Sequence, residues 1–112
     1  MWSKNRLICK RFMMLFDGRK EFFMKVRRHI YFSGMVQGVG FRYRSTYLAQ
    51  NRDLTGWVKN LFDGRVEMEV QGEESNIERF LKDLQGQRFL FVEDMEMTEI
   101  PCVEESKFRV VY

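Results

Sequence analysis

Apolar and polar residues alternate along three stretches of the chain, a pattern typical of strands that are buried on one face. These stretches cover residues 26–32, 55–61 and 65–71. Asp63-Gly64 lies between the second and third stretches, and this dipeptide is a strong signal for a tight hairpin turn. The pattern therefore predicts one early strand and, later in the chain, a β-hairpin.

Two other segments are predicted to be helices. The first predicted helix covers residues 42–51, between the early strand and the hairpin. The second is indicated by apolar residues that fall on one helical face: Ile77, Phe80, Leu81 and Leu84. Ser75-Asn76-Ile77-Glu78 has the form of a capping box at its start, and Gly86 is a natural stop.

Two further strands complete the predicted order of elements. One lies within residues 92–100 and the other covers residues 107–111, with a turn near Pro101 between them. The order β-α-β-β-α-β predicts an α+β ferredoxin-like sandwich, in which an antiparallel sheet has two helices on one face.

A glycine-rich turn connects the early strand to the first helix: Gly34-Met35-Val36-Gln37-Gly38-Val39-Gly40-Phe41-Arg42. Glycine has no Cβ to keep an anion away from consecutive backbone N–H groups, and the N-terminus of the following helix adds a favourable dipole. Arg42 adds a fork of donors that matches two phosphate oxygens. The turn has neither the third glycine of a dinucleotide fingerprint nor the Lys-Ser/Thr pair of a nucleotide P-loop. It predicts a site for a phosphoryl group, and an ordinary tight turn is the alternative.

The same run, followed about one helix later by Gly56-Trp57-Val58-Lys59-Asn60, resembles the signature of the acylphosphatase family. The second motif continues with glycine and valine positions similar to those of the family: Gly64, Val66 and Gly72. The last residues, 107–112, resemble the last strand of the family. Residues 24–112 are therefore predicted to form one acylphosphatase-like domain, and Met24 is a candidate for its first residue.

The resemblance implies a hydrolase that splits an acyl phosphate into a carboxylate and inorganic phosphate. It implies two catalytic residues: Arg42, which holds the phosphoryl group, and Asn60, which orients the attacking water. The substrate-binding residues that it implies form the glycine-rich turn: Gln37, Gly38, Val39, Gly40, Phe41 and Arg42. No metal and no cofactor is expected. Acetyl, carbamoyl and glyceroyl phosphates all remain candidate substrates.

Other chemically capable residues are expected to be structural. His29 is the only histidine in the chain and lies on a predicted strand remote in sequence from the glycine-rich turn, so no Ser-His-Asp or Cys-His constellation is expected. The acidic residues of the second half are interpreted as a solvated face rather than paired catalytic carboxylates: Glu67, Glu69, Glu73 and Glu74. Without its motif, Asn60 itself would be interpreted as an ordinary turn residue.

Charge is distributed unevenly along a chain whose net charge is +3. Residues 1–23 contain six Lys/Arg and two Asp/Glu, whereas residues 24–112 contain thirteen and fourteen. The first segment is therefore expected to be a basic extension with poor order. A targeting role for it, or packing of its aromatic residues against the domain, is the alternative. No segment has the length of a membrane span.

An RNA-binding module is the rival hypothesis, because the same sandwich topology occurs in RNA recognition. The acidic balance of residues 24–112 and the lack of the aromatic RNA-binding strand motif oppose it, so no nucleic-acid partner is expected. A domain that only senses or passes on an acyl phosphate is a third hypothesis. The two cysteines, Cys9 and Cys102, suggest no disulfide framework, which fits a cytoplasmic monomer.

Overall fold

The computed structural model describes residues 10–16 and 18–112, with side chains described from Met24 onward. Within this part of the chain there are six strands and two helices. In chain order they are β1 (Lys10–Phe16), β2 (Arg19–Met35), α1 (Phe41–Asn51), β3 (Thr55–Asn60), β4 (Val66–Glu73), α2 (Glu74–Gln85), β5 (Phe91–Ile100) and β6 (Phe108–Val111).

The strands form one sheet, in which β5, β2, β4, β3 and β6 are neighbours in that order. Strand β2 is long enough to pair with β1 along its first part, from Arg19 to Lys25, and with β5 further on. Neighbours β5, β2, β4 and β3 are antiparallel, but β6 runs parallel to β3, with Gly56 opposite Phe108. The sheet is therefore mixed: it is antiparallel from β5 to β3, as predicted, and β6 adds one parallel strand at its edge. Residues 101–107 connect β5 at one edge to β6 at the other, and this crossing sets the direction of β6.

Both helices pack on one face of the sheet, as predicted. Helix α1 contacts β3 and β6, helix α2 contacts β4 and β2, and the helices contact each other. The core between the layers is formed by alternate strand residues and the inner faces of the helices: Val26, Ile30, Phe32, Val58, Val66, Met68, Val70, Phe41, Ala49, Ile77, Phe80, Leu84 and Phe108. The α+β sandwich expected from the order of elements is confirmed.

The opposite face of the sheet carries a buried arginine. Arg27 is only 2% exposed, and its guanidinium donates to Glu69 at 2.8 Å, to Gln71 at 3.2 Å and to Glu105 at 2.7 Å. Burial on its own lowers the pKa of Arg27, but hydrogen bonds and charge from Glu105 and Glu69 outweigh it and hold the pKa above its ordinary value. Gln71 also exchanges two hydrogen bonds of 2.8 Å with the backbone of Val103. These contacts hold the crossing segment 101–107 against this face.

Helix ends show one wrong prediction and one confirmed one. Helix α2 begins at Glu74, and its N-cap is Glu73, whose carboxylate accepts from the Ser75 backbone N–H at 2.8 Å. The capping box predicted at Ser75 is wrong because an acidic side chain two residues earlier already satisfies that amide. The predicted stop at Gly86 is confirmed, since its N–H closes the last turn on the Lys82 and Asp83 carbonyls.

The N-terminal extension does not end at an element boundary. Strand β2 runs through position 24 without interruption, and β1 pairs with it in register from Lys10 opposite Lys25 to Phe16 opposite Arg19. The division expected between residues 23 and 24 thus falls inside a strand. Residues 1–9 lie outside the described residues, and poor order of the extension stays a prediction. No helix in the described part of the chain is long and apolar enough to span a membrane.

Candidate active site

A cavity of about 290 Å³ lies where the turn between β2 and α1 meets the ends of β3 and β6. It is lined by residues of the turn, of the first turn of α1 and of the ends of β3 and β6: Val36, Gly38, Gly40, Phe41, Arg42, Tyr43, Asn60, Val110 and Tyr112. Strands β2 and β3 are separated in the sheet by β4, so residues distant in sequence meet here only through the tertiary fold.

Glycines give the turn between β2 and α1 its backbone shape. Gly38 has φ of 72° and Gly40 has φ of 82°, a conformation that residues with a side chain seldom adopt. A Cβ at either position would meet nothing within 4 Å, so glycine is required here for its backbone conformation and not for lack of space. The turn therefore stays open on the side where an anion would approach its amides.

The start of helix α1 offers backbone donors. Gly40 is its N-cap and has no side chain to accept a hydrogen bond, and no acidic residue lies in the first turn. The Arg44 N–H donates to the Gly40 carbonyl at 2.9 Å, so the amides of Phe41, Arg42 and Tyr43 lie ahead of the first α-helical bond. These amides and the positive end of the helix dipole form an anion-binding environment at the edge of the cavity.

Arg42 lines the cavity from the first turn of α1 and is partly exposed. It makes no ion pair with any carboxylate among the described residues. Its guanidinium carbon lies 5.2 Å from the centre of the Tyr112 ring, which is cation–π distance. Because the ring faces the guanidinium group and does not accept its N–H bonds in the guanidinium plane, the fork of Arg42 stays available to an anion. An anion there would also remove the small penalty of a cation beside a helix N-terminus.

Asn60 is the last residue of β3 and lies opposite Val66 of β4. Its side-chain oxygen, Oδ1, is buried, and no described group donates a hydrogen bond to it. A buried acceptor without a donor costs about 1–3 kcal/mol. Asn60 lines the cavity, and its Oδ1 is an acceptor that no described donor uses.

The side chains of Gln37 and Val39 point away from the cavity, although both residues belong to the predicted substrate-binding set. The Gln37 amide donates to the Leu61 carbonyl at 2.7 Å and to the Arg65 carbonyl at 2.8 Å, in the turn that follows Asn60. Val39 packs against the core and lines a second cavity together with Arg44. The structure thus brings Gly38, Gly40, Phe41, Arg42 and Asn60 to the first cavity, but not the side chains of Gln37 and Val39.

Four residues of the cavity were not predicted from the sequence: Val36, Tyr43, Val110 and Tyr112. Tyr112 is 92% exposed and lies against Arg42 because β6 runs parallel to β3, with Lys59 opposite Val111. The pattern of residues 107–111 indicates a strand but not its neighbour or direction. Val36 lies within the glycine-rich turn and Tyr43 follows Arg42 directly, so their positions in the sequence could have included these two residues.

Histidine and the acidic residues of the second half lie away from the cavity. His29 Nε2 is 2.7 Å from Glu67, and its ring meets Tyr31 edge-on, which agrees with a structural role. The acidic residues do not form the solvated face that was expected. Each one pairs with another residue: Glu67 with His29, Glu69 with Arg27, Glu74 with Arg28, and Glu73 with the backbone N–H of Ser75. The reason is that β4 is an inner strand of the sheet. Among the described residues there is no group of three potential metal ligands.

An α+β sandwich with an anion-binding turn at one end of its sheet defines a class of small phosphate-handling domains. Comparison with known proteins shows to which family within this class the chain is similar. The acylphosphatase family model matches residues 28–110. An acylphosphatase of Clostridium acetobutylicum is 47% identical over 81 residues, which is 70% of this chain and 89% of the relative.

Two solved structures have the same fold. The crystal structure of acylphosphatase from Bacillus subtilis is 41% identical, with a TM-score of 0.71 over 77% of this chain and 98% of that one. An acylphosphatase structure from Coxiella burnetii is 38% identical, with a TM-score of 0.72 over 78% of this chain and 93% of that one. This chain belongs to the acylphosphatase family. The expectation of an acylphosphatase, and so of a hydrolase, is confirmed.

Proposed function

We propose that this protein hydrolyses the carboxyl–phosphate anhydride of an acyl phosphate by in-line attack of a water molecule that Asn60 positions. Arg42 and the backbone amides of residues 37–42 hold the phosphoryl group. The product pair is a carboxylate and inorganic phosphate. The substrate is a small molecule of the acetyl, carbamoyl or glyceroyl phosphate type.

One observation supports this proposal above all: Arg42 and Asn60 line the same cavity. Among the described residues, no carboxylate pairs with the Arg42 guanidinium and no group donates to the buried Oδ1 of Asn60. Arg42 and the first-turn amides of α1 can donate to phosphoryl oxygens, whereas Asn60 Oδ1 can only accept. Donors suit an anion, and an acceptor suits the O–H of a water molecule. The cavity therefore offers a separate place for each of the two reactants of a hydrolysis.

The reaction breaks the bond between phosphorus and the bridging oxygen of the anhydride and forms a bond between phosphorus and the water oxygen. The bridging oxygen and its electron pair leave as part of the carboxylate. One water proton passes to a phosphoryl oxygen of the substrate, because an amide such as Asn60 is not a base. Charge that develops on the phosphoryl and leaving oxygens is stabilised by donors already in place, which is electrostatic catalysis by preorganisation.

Hydrolysis of benzoyl phosphate in the presence of EDTA tests the proposal. The intact protein is expected to turn over the substrate. Arg42→Ala and Asn60→Ala should each lower kcat by about 10²- to 10³-fold, the usual cost of one lost transition-state contact. The two variants should differ in their binding of inorganic phosphate, a competitive inhibitor: Arg42→Ala should weaken it, and Asn60→Ala should leave it unchanged.

Arg44→Ala and Asn76→Ala are the matched controls. Arg44 lies in the same helix as Arg42 but outside the proposed cavity, and Asn76 lies in α2. Both controls should keep kcat within about twofold of the intact protein, as surface substitutions away from a site do. Absence of turnover in the intact, folded protein would overturn the proposed function. Equal losses in Arg42→Ala and Arg44→Ala would overturn the role of Arg42.

We also propose that the enzyme acts as a monomer in the cytoplasm and without a nucleic-acid partner. The cysteine content supports the cytoplasmic location, and the acidic balance of residues 24–112 opposes a nucleic-acid partner. Light scattering coupled to size-exclusion chromatography tests the first part. An RNA affinity that falls steeply with salt would contradict the last part.

A further inference from the structure

We propose that Gln37 is a positioning residue that holds Asn60 at a fixed distance from the phosphoryl-binding turn. This inference rests on the proposed function, because it assigns to Gln37 the alignment of the two parts of that site. It adds a role for the side chain of Gln37 to the expectation that its backbone amide belongs to the substrate-binding set.

The contacts of Gln37 join two segments that the sheet does not join. Its amide nitrogen donates both protons: one to the Leu61 carbonyl at 2.7 Å and one to the Arg65 carbonyl at 2.8 Å. Leu61 follows Asn60 directly, and Gln37 lies within the glycine-rich turn. Strand β4 separates β2 from β3, so backbone pairing between the two strands is indirect. Within the described part of the chain, the hydrogen bonds of this amide are the direct polar link between the turn and the residue after Asn60.

The phosphoryl-binding turn is anchored to the core by Val36, Val39 and Phe41, but nothing packs at its two glycines. A Cβ on Gly38 or Gly40 would meet no atom within 4 Å. An in-line displacement requires the water, the phosphorus and the leaving oxygen to be aligned, and a displacement of about 1 Å can cost about 100-fold in rate. A rigid link between the segment that holds the phosphoryl group and the segment that holds the water meets this requirement.

Gln37 acts through Asn60 and not on the substrate. Its side chain does not line the cavity, and both protons of its amide nitrogen are used within the protein. The two carbonyls also keep other donors, since Gly64 N–H donates to Leu61 at 3.2 Å and Leu61 N–H donates to Arg65 at 2.8 Å. Removing the Gln37 amide should therefore leave the turn after β3 folded but allow it to shift.

The test is a double-mutant cycle of Gln37→Met with Asn60→Ala, measured as kcat on benzoyl phosphate. Gln37→Met keeps the length of the side chain and loses both donors. Alone, it should lower kcat by about 10- to 100-fold and leave KM and the inhibition constant of inorganic phosphate within about threefold, because the phosphate-binding amides remain. In the Asn60→Ala background, it should change kcat by less than about threefold, since no positioned water remains to be misaligned.

Gln87→Met is the matched control. Gln87 also uses its amide to donate to a backbone carbonyl, that of Asp83 at 3.0 Å, but it lies beyond α2 and outside the active cavity. It should keep kcat within about twofold. Gln37→Glu is a second variant with nearly the same shape, and its carboxylate cannot donate at neutral pH. It should lose as much kcat as Gln37→Met.

The outcomes separate the two proposals. If the intact protein does not hydrolyse benzoyl phosphate, the proposed function fails. If it does, and Gln37→Met or Gln37→Glu keeps full kcat, only the role of Gln37 fails. The role of Gln37 also fails if Gln37→Met lowers kcat by the same factor with and without Asn60, or if it weakens phosphate inhibition as Arg42→Ala does.

Discussion

Two arginines of this protein lie at opposite ends of the sheet and have opposite surroundings. Arg27 is 2% exposed, and Glu69, Gln71 and Glu105 accept its hydrogen bonds. Arg42 is partly exposed and, among the described residues, meets no carboxylate, only the face of Tyr112. A guanidinium with all its partners inside the protein fixes the fold, whereas one with unused donors can bind a ligand. Partners, and not residue type or burial alone, separate the structural arginine from the functional one.

The largest effect is expected at Arg27. Arg27→Ala removes the common partner of Glu69 and Glu105 and leaves two carboxylates on the same face of the sheet. Loss of one partner from a buried ion pair typically costs about 3–5 kcal/mol of unfolding free energy. Urea denaturation measures this loss, and kcat per folded molecule should stay within about twofold. A loss below about 1 kcal/mol, or a kcat reduced with full stability, would remove the distinction between the two arginines.

Arg42→Lys should have the next largest effect, this time on activity. Lysine keeps the charge but not the planar fork that can bind two oxygens at once. We expect kcat/KM on benzoyl phosphate to fall by about 10- to 100-fold, less than for alanine. The free energy of unfolding should change by less than about 0.5 kcal/mol, because no ion pair within the described residues is lost. Full activity in the lysine variant would mean that charge alone, without fork geometry, suffices at this position.

Gly40→Ala tests the backbone around Arg42. The substitution meets no atom, but alanine at φ of 82° should cost about 1–2 kcal/mol of stability. Gly18→Ala is the matched control, since Gly18 has φ of 76°, has no atom near its Cβ position and lies in the turn between β1 and β2. Similar losses of stability are expected in the two variants, measured by thermal unfolding, with phosphate binding weakened only in Gly40→Ala. Weakened phosphate binding in both would show that the loss is global.

The smallest effect is expected at the exposed pair of Asp63 and Arg65. The Arg65 backbone N–H, at 3.0 Å, is the main cause that lowers the pKa of Asp63, and the Arg65 side chain adds to it. Because this pKa is lower in the folded than in the unfolded state, the carboxylate stabilises the fold above its unfolded pKa, which is about 3.9. That contribution is lost as the pH falls through the folded value. Urea denaturation between about pH 2 and pH 5 should therefore show a shallower loss of stability for Asp63→Asn. An unchanged pH dependence would contradict this.

Local signals in the sequence were sufficient for most elements. Alternation identified β3 and β4, helical spacing identified α2, and Asp63-Gly64 marked the hairpin turn, because each of these depends on contacts between near neighbours in the chain. The direction of β6 was not predictable in this way. A short strand has the same alternation whether its neighbour runs parallel or antiparallel to it. The ion pairs of β4 were missed for a related reason, since alternation does not show whether the polar face of a strand will be covered.

The candidate site divides along the same line. The sequence alone predicted which residue types form the site: glycines that permit positive φ, an arginine at a helix start, and a motif that ends in Asn60. Backbone conformation and donor geometry are properties of single residues and their immediate neighbours, so the local sequence determines them. Only the tertiary structure decided that Asn60 keeps a buried acceptor without a donor, that Gln37 faces away from the cavity, and that Tyr112 covers Arg42. Each of these depends on which strands become neighbours, and that is settled by packing between segments far apart in the chain.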